Sequence, residues 1–402
     1  MTWLLRNARL WGVENTHNIL LKAGKIFLDT DEGSICDADV WDLEGRLVLP
    51  GLTEIHAHLD KTYSHIENPE GTLRGAIENF KRTETTRQQD DIRKNALAAV
   101  RHSISFGTTK MRSHLNLSQD SDLDVLRVLN EVRYELREAI NIQFAGMMSL
   151  DGTREERKRL ERALDLGLDI VGGAPALMPD PTSSVATALK YARDYDTPID
   201  LHIDETEDSE SVTLLTLADA CLSSKYAQAV TASHCCSLAF QPPEIVETTA
   251  SKVAAAHISV VALPLCNLVL MGRSATPKPR GMTPVTRLIQ AGINVCAGSD
   301  NVSDPFNPFG NYDPLMAASL TALVDQRTGT EELVGAIDLV TRNAAKAFDG
   351  TRAEIRNEET ADLVVLDEVD PLRAICAPSP RLATFHLGKL IFKAETTRTW
   401  HC

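Results

Sequence analysis

Two hydrophobic patterns divide the chain. At its start, WLLRNARLW (3–11) and HNILLKAGKIFLD (17–29) alternate apolar and polar residues around a glycine turn. That period of two predicts short antiparallel strands with one face covered. The other end reads alike, with ADLVVLDE (361–368) and LATFHLGKLIFKAETT (382–397). Residues 1–47 and 352–402 are therefore expected to pair into one small β-sandwich built from both termini. Between them, over 48–351, short apolar runs alternate with longer helical ones such as DDIRKNALAAVRHSISFG and REERKRLERALDLG. The strand candidates are LVLPGLTEIHAH (47–58), TTKMRSHL (108–115), INIQFAGMM (140–148), DIVGGAP (169–175), IDLHIDE (199–205), AVTASHC (229–235), ISVVALP (258–264) and NVCAGSD (294–300). Strand alternating with helix eight times predicts an α/β fold, a (β/α)8 TIM-type barrel. A doubly wound open sheet would give a similar pattern, but no GxGxxG follows the first strand. A barrel with one small added module also suits 402 residues.

The polar residues that carry chemistry fall at the C-terminal ends of these strands, the active-site face of such a barrel. His56 and His58 end the first strand, with His114 near the end of the second; His202 and Glu205 end the fifth, His234 the sixth and Asp300 the eighth. In a strand, residues i and i+2 share a face, so both imidazoles of His56-x-His58 point into the barrel mouth. With His202 and Asp300 they make a donor set suited to one borderline divalent ion, Zn2+ or Fe2+. Such an ion acidifies its water. Glu205 stands where it can move protons, and Asp300 can both ligate and accept a hydrogen bond. His234 is expected to polarise the attacked centre or orient the nucleophile. The alternative for Glu205 is a place beside a helix N-cap in the acidic run DETEDSE. His114 is placed as either a supporting residue or a structural histidine.

Composition narrows the partners. The net charge of −15 repels phosphate backbones and anionic lipid, which predicts a small-molecule substrate, no nucleic acid and no membrane. No apolar run is long enough to span a bilayer, and MTWLLRNARLWG lacks the long apolar region of a secretion signal, so a cytoplasmic location is expected. The eight cysteines (36, 221, 235, 236, 266, 296, 376 and 402) form no CxxC pair and are read as free buried thiols, Cys235 and Cys236 included.

The segments LPGLTEIHAHLDKT (49–62), GTLRGAIE (71–78), GLDIVGGAP (167–175), IDLHIDETED (199–208), VTASHC (230–235), LPLCNLVLMGR (263–273), TPKPRGMTPV (276–285) and INVCAGSDNVSDPF (293–306) identify a family. The chain resembles the amidohydrolase superfamily and, within it, the bacterial cytosine deaminase group, over nearly its whole length. The resemblance implies one iron or zinc ion on His56, His58, His202 and Asp300, with Glu205 shuttling protons and His234 touching the attacking water. Members with two metals carry a carboxylated lysine at the fourth strand, and VGGAPALMPD (171–180) has none. Lys61 and Lys110 are assigned to surface or supporting roles. The resemblance also implies a homo-oligomer. Four residues are expected to contact substrate. Ser149 stands where the group's pyrimidine-pairing Gln falls, Asn301 where an Asp falls and Phe306 where a Trp falls, while Leu73 supplies an apolar wall. His65 sits in a nearby loop. Loss of the Gln loosens the tie to cytosine itself, because a site built around particular hydrogen bonds rejects analogues that lack them. The expected reaction is hydrolytic deamination of a small N-heterocycle, a pyrimidine, triazine or related cyclic amidine. The alternative enzyme reading is cleavage of an N-alkylamine or cyclic amide, and the alternative class is a non-catalytic metal-binding scaffold.

Overall fold

The structure, a computed structural model, describes residues 2–30, 37–64, 67–83, 87–395 and 399–400. His65, Cys36 and Cys402 lie outside the described residues.

One sheet gathers both termini. Its strands are β1 (Trp3–Leu10), β2 (Thr16–Lys22), β3 (Lys25–Leu28), β4 (Asp39–Asp42) and β5 (Leu47–Pro50) from the start of the chain. The barrel follows with β6 (Leu52–Ala57), β7 (Thr108–Asn116), β8 (Asn141–Met148), β9 (Ile170–Gly173), β10 (Ile199–Ile203), β11 (Val230–His234), β12 (Ser259–Ala262) and β13 (Val295–Ala297). The chain then returns to the first sheet with β14 (Leu363–Leu366), β15 (Arg381–His386) and β16 (Lys389–Lys393). The terminal sheet runs β16-β15-β14-β5-β1-β2-β3, with β4 beside β1. It closes over its own core of Leu5, Ile19, Leu21, Ile26, Leu363, Val365 and Phe385.

The apolar run 47–58, expected as one strand, is two. Leu47–Pro50 pairs with β14 and β1 in the terminal sheet, and only Leu52–Ala57 enters the barrel. Gly51 makes the crossing. A Cβ there would lie 2.4 Å from Thr109 Oγ1, so a larger residue would have to displace the Thr109 side chain between the two sheets. Further on, Thr384 Oγ1 donates to the carbonyl of Ile104 at 2.7 Å and Arg381 Nε to that of Phe106 at 3.1 Å, fastening β15 to the end of the helix Gln89–Ser105.

The barrel strands lie in sequence order, β6 to β13, and pair in parallel. Helices cover them outside, so β6, β9, β10, β11, β12 and β13 are buried at every residue. Local signals start these helices. Thr153 Oγ1 accepts from Glu156 N at the head of Arg154–Asp165, and Asp180 accepts from Ser183 N where Pro181 opens the next. The ring closes between β13 and β6, where Asp300 N donates to His56 O at 2.8 Å and Ala57 bridges Asp300. No helix among the described residues is long and apolar enough to cross a membrane.

Candidate active site

Strand alternation builds the site. In β6, His56 faces the lumen and His58 follows just past the strand end; in β10, Asp200 and His202 face inward together. One coordinating atom from each of His56, His58, His202 and Asp300 lies within 4.8 Å of the others. His58 Nε2 is 3.3 Å from both His56 Nε2 and His202 Nε2, and 3.1 Å from Asp300 Oδ1. His56 Nε2 is 3.6 Å from the same oxygen. Burial holds all three imidazoles well below their ordinary pKa, and the neighbouring histidines add to this at His56 and His202. They are neutral at physiological pH.

Three neutral ring nitrogens therefore crowd one point beside a carboxylate. Both oxygens of Asp300 are buried without a hydrogen-bond partner. Such a cluster is costly unless a cation stands among the donors. The set of three imidazoles and one carboxylate fits a single divalent ion of the zinc or ferrous type.

Glu205 lies beside this cluster. It forms a second close group with Cys266 and Asp300, and its Oε1 is 3.5 Å from His234 Nδ1. Burial, and then the Asp300 charge, pushes Glu205 well above the usual carboxylate range. The capping role belongs to its neighbour. Asp204 accepts from Ser211 Oγ at 2.6 Å, Thr213 N at 3.2 Å and Leu214 N at 3.0 Å, and so heads the helix Thr213–Ser224. The acidic run thus splits between a cap and a residue facing the site.

His234 is pushed down to about 4 by burial. The Asn267 side-chain amide stands 3.0 Å from its Nδ1, and its Nε2 lies 3.9 Å from Asp300 Oδ2. Asn267 was not singled out from the sequence, although it sits in LPLCNLVLMGR. His114 stacks on His56 with ring centroids 3.9 Å apart, which fits a supporting residue of the site.

The expected substrate contacts are placed as follows. Leu73 packs against Cys236, Cys266, Leu270 and Met271. Phe306 faces Phe80 at 6.3 Å, and Lys61 Nζ lies over both rings. Asn301 is buried; its amide donates to Asp304 Oδ2 at 2.6 Å and its carbonyl accepts from Asn307. Ser149 is half-buried immediately beyond β8. Lys61 is not a surface residue but is 3 % exposed, paired with Asp60 at 3.0 Å and 3.3 Å from His58 Nδ1. Lys110 pairs with Asp349 near the start of β7, at the opposite end of the barrel. Of the described cysteines, Cys221, Cys235, Cys236, Cys266 and Cys296 are buried free thiols as expected, whereas Cys376 is exposed.

The amidohydrolase family profile matches residues 64–377, most of the barrel and the start of its return to the terminal sheet. The chain belongs to the amidohydrolase family. It is a hydrolase, and its relatives act on carbon–nitrogen bonds. This amidohydrolase is 33% identical to the pterin deaminase of Rhizobium rhizogenes over 68% of its own length and 64% of that protein. It thus spans just under two thirds of that relative. The N-isopropylammelide isopropyl amidohydrolase of a Pseudomonas species is 26% identical over 98% of this chain and 97% of its own. The 5-methylcytosine deaminase of Klebsiella pneumoniae, solved with phosphonocytosine, superposes with a TM-score of 0.91 at 28% identity, covering 100% of both chains.

Proposed function

We propose that this amidohydrolase is a metal-dependent hydrolytic deaminase of a small amino-bearing N-heterocycle. Water replaces the exocyclic amine at a ring carbon, and ammonia leaves. The observation that carries this reading is the convergence of His56, His58, His202 and the unpartnered Asp300 oxygens next to Glu205.

We read His56, His58, His202 and Asp300 as the holders of one Zn2+ or Fe2+. Bound there, that ion would lower the pKa of water and act as a Lewis acid toward the substrate. The rest of the chemistry falls to the chain. Glu205, whose carboxyl burial and then the Asp300 charge push well above the usual carboxylate range, is suited to hold a proton and carry it to the leaving nitrogen. His234, neutral, donates a hydrogen bond to the oxygen developing at the attacked carbon. Asp300 also accepts a hydrogen bond from the attacking water. Leu73 and the thiol-bearing wall of Cys236 and Cys266 exclude water from one face of a flat ring, and Phe306 bounds the opening. Ser149 and Asn301 are proposed as the polar contacts that select among heterocycles. The proposed partner is a small molecule and neither nucleic acid nor a membrane, in keeping with the charge of −15, and association with other copies of this chain rests on the family resemblance.

The test is metal analysis followed by an ammonia-release screen over pterins, pyrimidines and amino-triazines. One metal per chain and turnover on at least one ring class are expected, with Glu205→Gln slowing kcat about 10²–10⁴-fold. Release of an alkylamine in place of ammonia would favour the N-dealkylating reading. Full activity in the Glu205→Gln variant would overturn the role of that residue.

A further inference from the structure

Beneath the metal donors the lumen holds a second polar array that the chemistry above leaves unused. Alternation turns Arg112 and His114 of β7, Asp200 and His202 of β10, and Thr231 and Ser233 of β11 toward the same axis. Arg112 is 2 % exposed, Asp200 and Ser233 not at all. Arg112 Nη1 donates to Asp200 Oδ2 at 2.8 Å and to Thr231 Oγ1 at 3.2 Å. Its Nη2 donates to the carbonyls of Ala347 at 2.8 Å and Phe348 at 3.1 Å. Those carbonyls end the helix Arg342–Asp349 and lack intrahelical partners. The guanidinium is thus fixed at the barrel floor from both sides.

Counting protons up from there leaves one arrangement. A guanidinium only donates and a carboxylate only accepts. Ser233 Oγ donates to Asp200 Oδ1 at 3.3 Å, which commits its single hydroxyl proton. Toward His56 Nδ1, 2.9 Å away, Ser233 is therefore an acceptor. His56 must carry its proton on Nδ1, and its Nε2 keeps a lone pair facing His58 and Asp300. His114, stacked 3.9 Å away at an interplanar angle of 23°, fixes the plane of the same ring.

We propose that Ser233, anchored through Asp200 to Arg112, is the positioning residue that sets the tautomer and tilt of His56, so that one donor is preformed before any ion arrives. This rests on the reading of His56 as a metal donor. Outer partners of this kind typically govern metal affinity by 10–100-fold.

The experiment uses the full chain stripped of metal, then titrated with zinc against a competing chelator. Ser233→Ala is expected to raise the zinc dissociation constant about 10–100-fold, and Ser233→Thr, which keeps the hydroxyl, to restore it. In metal-free wild-type protein labelled with 15N-histidine, long-range proton–nitrogen correlations are expected to show His56 as the Nδ1–H tautomer. A Ser233→Ala variant that holds zinc as wild type does, or a Ser233→Thr variant as weak as the alanine, overturns the proposal. An Nε2–H tautomer in the wild type overturns it too, even if the alanine variant does not fold. His56→Ala separates this from failure of the metal reading. If that variant binds zinc as tightly as wild type, His56 is no ligand and both readings fall; if it loses zinc while Ser233→Ala does not, only the positioning role falls.

Discussion

Asp204→Asn tests whether the acidic run divides its labour as described. The carboxylate accepts at Oδ1 from Ser211 Oγ and Thr213 N, and at Oδ2 from Leu214 N. An amide has one oxygen. If it serves Ser211 and Thr213, its NH2 faces the Leu214 N–H, leaving a buried donor unsatisfied at about 1–3 kcal/mol. Loss of the negative charge at the head of the helix Thr213–Ser224 adds about 0.3–1 kcal/mol. The variant should therefore be roughly 1.3–4 kcal/mol less stable. At about 2 cal/mol/K of unfolding entropy per residue, a chain of this size loses about 1 °C of Tm per kcal/mol, so the drop should be roughly 2–5 °C by scanning calorimetry. His202 is fixed by β10 rather than by the cap, so metal content should not change. Glu205 follows the cap directly, so kcat should fall more than KM rises. An unchanged Tm would refute the capping argument, and loss of metal with the cap would refute the separation of cap from donor.

Two further outcomes follow from buried groups. Burial pushes the Asp304 carboxyl up to about 7, and its hydrogen bond from Asn301 only partly offsets this. A folded-state pKa above the unfolded one means that its contribution is most favourable below about pH 4 and is lost as pH rises toward 7. Chemical denaturation should show Asp304→Asn gaining on wild type between pH 4 and 7, by at most about 4 kcal/mol, and a pH-independent difference would contradict this. Asn267→Ala removes the amide partner of His234 Nδ1 and should lower kcat about 10–100-fold with one metal still bound, by steady-state kinetics and metal analysis; equal kcat would remove Asn267 from the site.

The barrel and the metal cluster were legible because both rest on short-range pattern. Each of the eight apolar runs supplied one barrel strand, the first of them also a strand of the terminal sheet, and His56-x-His58 projects on one face by alternation alone. What escaped depends on register between strands. Arg112-x-His114, Asp200-x-His202 and Thr231-x-Ser233 obey the same alternation. Yet only the hydrogen bonds from Arg112 to Asp200 and Thr231 show that β7 meets β10 and β11 across the lumen. The division of 47–58 falls at Pro50-Gly51, a turn dipeptide inside a run that otherwise reads as one strand, and the steric reason for the crossing, Thr109 beside Gly51, is visible only in the fold. Likewise Asp204 and Glu205 look interchangeable in DETEDSE. Asp204 adopts a left-handed backbone (φ 49°) that the sequence does not advertise. Lys61 reads as either a surface or a supporting lysine, and its burial beside Phe80 and Phe306 selects the second.

The closure of the ring has a mechanical consequence. Neighbouring strands elsewhere pair through a main-chain ladder, while β13 has three residues and meets β6 through the Ala57–Asp300 bridge, the bond from Asp300 N to His56 O, and the Glu54 carboxylate, which accepts from Ser299 N and Oγ. Three of the four candidate metal donors, His56, His58 and Asp300, straddle that lightly sewn join. An ion held there acts as a clasp on the circumference, tying the first and last staves of the barrel together. Loading the centre should slow amide exchange at Asp300 more than at residues on the far wall, so hydrogen exchange along β13 becomes a gauge of occupancy that needs no substrate.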